Sequence, residues 1–164
     1  MKYFKTFCIG LFFVILSCEK KIDNFAPTIN LKELLKNEKL NKAYSEFRID
    51  NVGLFSGIEE RESFMKFARE TNNDVLISLT ECDKPIIRCY AFKALVEKDY
   101  PYVRQVLFKH KNDNALIEYG AGQCIRMKRT VSSYMLLQLD PYSKSKNKFT
   151  KIEYDKIQKE FWKE

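Results

Sequence analysis

Glycine and proline are scarce in this chain, at five and four of 164 residues. Folds rich in β-structure draw on both for their many tight turns, so such a fold is disfavoured. Histidine is rarer still, with His110 alone, and no two cysteines stand in a CxxC pair. A zinc site built from Cys and His is therefore not expected, and no metal or cofactor is assigned. No apolar run approaches the roughly 20 residues that a membrane-spanning helix needs. GxSxG, HExxH, P-loop and GxGxxG patterns are all missing. The carboxylates fall in runs such as Glu59-Glu60, or in spaced pairs such as Glu33 and Glu38. These read as solvated faces rather than the two matched acids of a glycosidase. No catalytic residue is assigned.

What remains is ordinary globular composition, 45% hydrophobic and 31% charged, in a chain long enough for one domain with a real core. The net charge is +7. That surplus suits solubility and attraction to anionic headgroups or acidic partners. Nucleic acid binding needs a clustered basic face and is not expected.

The N-terminus carries the sharpest pattern. Lys2 and Lys5 precede the uncharged run Phe7–Leu16, and Ser17-Cys18 is followed by Glu19-Lys20-Lys21. That is the charged, apolar, small-residue order of a secretory signal, and the apolar run is too short to span. Ile15-Leu16-Ser17-Cys18 resembles a bacterial lipobox, although Leu16 is bulkier than the usual occupant. The resemblance implies cleavage after Ser17 and lipid on Cys18, which anchors the mature chain. Losing Lys2 and Lys5 leaves a charge of about +5. The expected organisation is a signal peptide over 1–17, a lipidated tether over 18–29 and a helical domain over 30–164. The expected location is the cell envelope, on the outer membrane, facing the periplasm or the exterior. After processing, Cys82, Cys89 and Cys124 remain, read as small buried hydrophobes with a disulfide left open.

The body reads as a string of helices. Asn30 caps a helix through Leu35 that can continue to Phe47, and a loop follows over Asp50–Gly57. Glu59–Glu70 places Phe64, Phe67 and Ala68 on one face. Asp74 is expected to cap Val75–Glu81, with Val75, Leu76 and Leu79 inward, and Asp83 to cap a helix over Ile86–Glu97 that Pro85 introduces. Tyr100-Pro101 opens the next helix, to Lys109. Asn112-Asp113 is expected to cap a short helix over Ala115–Tyr119, ended by Gly120-Ala-Gly122. Cys124–Arg129 reads as a basic loop. Val131–Leu139 and a last helix from Thr150 to Lys163 flank a Lys- and Ser-rich loop. The fold class is all-α.

The segment Pro85, Ile86, Ile87, Arg88, Ala91, Ala94, Leu95 resembles a HEAT repeat. With His110-Lys-Asn-Asp113, it is similar to a group of bacterial HEAT-repeat-like proteins, often lipoproteins. The resemblance covers roughly Phe64 to Leu139. It implies a short α-α solenoid of helical hairpins with capping helices, in which stacked pairs share one core. It also implies structural roles for Pro85, Arg88, Ala91, Leu95 and Asp113. Arg88 would pair with an acid or carbonyl of a neighbouring unit. His110-Lys111 reads as the end of a helix, where cations suit the dipole.

Arg104, Arg126, Lys128 and Arg129, with exposed aromatics, are the residues assigned to a partner surface. The expected function is a membrane-anchored module that binds a protein or peptide of the envelope without catalysis. Two alternatives stay open. One is a protein or enzyme that handles a small molecule or lipid between helices; the other is an immunity or inhibitor lipoprotein against an envelope-acting toxin.

Overall fold

A computed structural model describes residues 25–38, 41, 58–120 and 126–161. Cys18, Cys124, the loop expected over 50–57 and residues 121–125 lie outside the described residues. Among the described residues, seven helices and one small sheet follow in order: α1 (Leu31–Leu34), α2 (Ile58–Glu70), α3 (Asn73–Thr80), α4 (Pro85–Glu97), α5 (Val103–Lys109), β1 (Leu116–Gly120), β2 (Arg126–Thr130), α6 (Val131–Leu137) and α7 (Lys151–Phe161). No described helix is long and apolar enough to cross a membrane.

The core is organised around α4. Ile87–Phe92 and Ala94–Val96 are all buried, so this helix is covered on nearly every side. It packs against α2, α3, α5 and α6. Ala91 and Ala94 have no exposed surface, and their small side chains let neighbouring helices approach closely. Phe64, Phe67 and Ala68 of α2, Leu76 and Leu79 of α3, Val103 and Leu107 of α5 and Tyr134, Met135 and Leu136 of α6 join α4 in the core. Val75 is only half-buried, at the edge of it.

Capping differs from expectation at Asp74 and Asp83, and again at Asp113. Asn72, not Asp74, starts α3, its side chain accepting from the Val75 amide at 2.8 Å. Asn and Asp are near-equal N-caps, and the chain uses the first of the two to become available. Asp83 does not cap α4, whose first turn has Pro85 and no side-chain cap. Its carboxylate accepts instead from the Leu31 amide at 3.0 Å, and so closes α1 from 52 residues away.

The all-α expectation is corrected to a mostly helical fold with one two-stranded sheet. The stretch expected as a helix over 115–119 is β1, and the stretch expected as a basic loop holds β2. They pair antiparallel, with Leu116 opposite Thr130 and Gly120 opposite Arg126. Alternation explains the outcome: Ile117 is buried between exposed Leu116 and Glu118, a period of two. Asp113 Oδ1 does accept from the Ala115 amide at 3.3 Å, but a strand and no helix follows, and Arg88 engages both carboxylate oxygens.

Residues 25–29, the end of the stretch expected as a tether, bond to the body. Phe25 N donates to Asn112 O at 3.3 Å, and Thr28 and Ile29 both donate to Glu81 O, at 3.1 and 3.2 Å. Asp83 N returns a bond to Ile29 O at 2.9 Å. Ile29 thus forms a parallel bridge with Cys82. The segment is a strap on the body, held because backbone groups beside a core need partners.

Candidate functional site

Arg88 is the largest fully buried side chain among the described residues, at 2% exposure. Helical spacing places it on the α4 turn that faces the α5–β1 connection. Nε donates to Asp113 Oδ2 and Nη2 to Asp113 Oδ1, both at 2.8 Å, a two-pronged pair that only a planar guanidinium makes. Nη1 donates to Cys82 O at 2.9 Å. One side chain thereby joins α4, the corner before it and the segment after α5.

His110 adjoins this pair and has no exposed surface. Nδ1 lies 3.4 Å from Asp113 Oδ2, and Nε2 lies 3.6 Å from Glu81 Oε1. Both distances are long for hydrogen bonds. Lys109 reaches Glu81 Oε1 from solvent at 2.8 Å. Phe25 closes the cluster, its ring 4.3 Å from the His110 ring and 5.1 Å from the Arg88 guanidinium carbon.

Burial alone would push the Asp113 carboxyl up. The His110 side chain, the Arg88 guanidinium and the Ala115 amide more than offset it and hold the carboxyl below its usual range. The two described cysteines border the cluster as free, buried thiols. Burial pushes Cys82 up to about 11, and burial raises Cys89 as well. Neither is poised as a nucleophile at neutral pH. The cluster's chemistry is therefore that of a charged keystone, with its acceptors and donors turned toward one another.

Sequence reading of His110 as a helix end was incomplete. It does follow α5, but it faces inward between two carboxylates. Glu81 and Phe25 were missed altogether. A weak signal existed for Phe25, the one large apolar side chain between Asp23 and Ile29.

The four residues assigned to a partner surface separate. Arg104 pins an internal loop: Nε donates to Asn147 O at 2.9 Å, Nη2 to Lys148 O at 2.5 Å, and the guanidinium lies 4.3 Å over the Phe149 ring. Arg126, Lys128 and Arg129 share β2. Lys128 faces Glu118 across the ribbon at 3.8 Å and stays 72% exposed. Leu116, at 67% exposure, shares that face by register. Among the described residues no group of three or more His, Cys, Asp or Glu side chains is placed to hold a metal ion.

No family model, no curated protein and no solved structure matches this chain. The HEAT-like resemblance rests on the residues that carry it.

Proposed function

We propose that the chain is a lipid-anchored binding module of the cell envelope, with a HEAT-like helical body that presents the β1–β2 ribbon to a protein or peptide. The observation that carries this reading is the ribbon itself. It exposes Leu116 and Lys128 on one face, an apolar and cationic mixture suited to a recognition surface. No other described strand pairs with it. A partner strand can therefore add by backbone hydrogen bonding.

The buried cluster supports the same reading from the other side. Its charged groups are spent on joining the strap, α4 and the segment after α5, which makes a rigid support for a surface. α4 and α5 are read as the two helices of a HEAT-like unit, α3 as the second helix of the unit before it, and α1 and α7 as caps. Cys18, with its lipobox-like setting, supplies the anchor.

The test is site-specific photocrosslinking in intact cells. A photoreactive residue at 116 or 128 should give one discrete protein adduct, and one at solvent-facing Glu62 should give none. Absence of an adduct from both ribbon positions overturns the binding reading. For anchoring, Cys18→Ser should abolish partition into membranes; a variant that still partitions overturns the lipid claim.

A further inference from the structure

Residues 141–152 hold Lys144, Lys146, Lys148 and Lys151 and no acid. All four lysines are exposed. The same stretch carries the two most exposed large apolar side chains among the described residues, Tyr142 at 85% and Ile152 at 84%.

The loop is built, not loose. Phe149 N donates to Leu139 O at 3.0 Å and closes it at its base, while Phe149 itself is buried. Asn147 Nδ2 donates to Tyr100 O and Lys146 N to Asp99 Oδ1, both at 3.1 Å. Arg104 holds the carbonyls of Asn147 and Lys148 from beneath. Asp99 and Asp155 partner Lys146 and Lys151. Lys144 and Lys148 have no carboxylate partner among the described residues.

We infer that this loop is a second membrane contact, resting on anionic phospholipid headgroups with Tyr142 and Ile152 entering the interface. Tyrosine suits that depth, with an apolar ring and a polar tip, and lysine stems keep their ammonium groups at the headgroups. Two isolated apolar side chains among cations fit a lipid surface better than a protein partner, whose recognition centres on a packed apolar cluster.

The inference rests on the membrane-anchored reading, and the geometry allows both contacts at once. The strap meets the body near Arg88, and the loop meets it at Asp99. Along α4 that separation is about 16 Å. Chain between Cys18 and Phe25 can span up to about 25 Å.

The experiment uses the full chain with Tyr142→Trp in a Trp162→Phe background, so that position 142 carries the sole indole. It is mixed with vesicles of brominated phosphatidylcholine alone, or of equal parts brominated phosphatidylcholine and phosphatidylglycerol. Indole emission should be quenched on the mixed vesicles and far less on the neutral ones. Lys144→Gln with Lys148→Gln should weaken that quenching about twenty-five-fold in lipid concentration, at roughly fivefold per lysine, without changing the circular dichroism. A chain that floats with neutral vesicles but whose indole stays unquenched on both keeps the anchor and overturns the loop contact. A chain that ignores neutral vesicles yet is quenched on mixed ones supports the loop and counts against the anchor. An unquenched indole together with a discrete protein adduct from a photoreactive residue at 142 makes the loop a protein surface and overturns the inference.

Discussion

Arg88 and Asp113 lie 25 residues apart in sequence and meet through two hydrogen bonds of 2.8 Å, each residue 2% exposed. A buried pair of this kind is costly to break and cheap to replace. Asp113→Ala leaves a buried guanidinium without its counter-charge and should lose about 3–5 kcal/mol in urea unfolding. The double variant Arg88→Met/Asp113→Leu should lose clearly less than the two single losses combined. Additive losses in the cycle would mean that the two side chains are not coupled.

The same pair sets a pH dependence. The folded Asp113 carboxyl titrates below its usual range, so its contribution is present above the unfolded value and disappears as pH falls through the folded one. Stability should therefore drop on acidification from about pH 4 downward. Asp99 and Glu153 are also held low, chiefly by the Lys146 and Thr150 amides, and act in the same direction from the surface. Asp113→Asn should flatten the acid limb of a Tm-against-pH curve more than Asp99→Asn or Glu153→Gln does. An unchanged acid limb in Asp113→Asn would remove this carboxylate from the account.

Local signals made much of the helical body legible in the sequence. Asn30, Pro85 and Thr150 all stand at the helix starts that their chemistry suggests. The apolar spacing of Phe64, Phe67 and Ala68 gives the buried face of α2 correctly. What escaped depends on distant partners. Asp83 looks like a cap for the helix that follows it, and only the return of the strap assigns it to α1. Leu116–Gly120 is short enough for helix and strand periods to compete, and pairing with β2 decides. Arg104 looks like a surface cation until the carbonyls of residues 147 and 148 reach it. Glu81, His110 and Phe25 come from three segments that no local pattern connects.

Buried thiols should be slow. With Cys82 pushed up to about 11, only about one molecule in a thousand carries its thiolate at pH 8. Cys89 is raised as well and has no exposed surface. Iodoacetamide at pH 8, read by peptide mass spectrometry, should leave both unmodified in the native chain and label both in denaturant. Rapid native labelling of Cys89 would show that α4 opens far more readily than a central helix should.

The strap offers the last test, because its two kinds of contact can be separated. Phe25 covers Arg88 and His110 with its ring, while the backbone from Thr28 to Leu31 bonds to Glu81 and Asp83. Phe25 is only half-buried, so Phe25→Ala should lose about 2 kcal/mol rather than the larger cost of emptying a sealed core site. If the ring holds the strap, the amides of Thr28, Ile29, Leu31 and Asp83 should exchange faster by hydrogen-exchange mass spectrometry, beyond the change in global stability. Protection within α4 should fall only by the global amount. Strap amides that keep their protection in Phe25→Ala would show that the backbone bonds alone hold the segment and that the ring serves only to cover the charges beneath it.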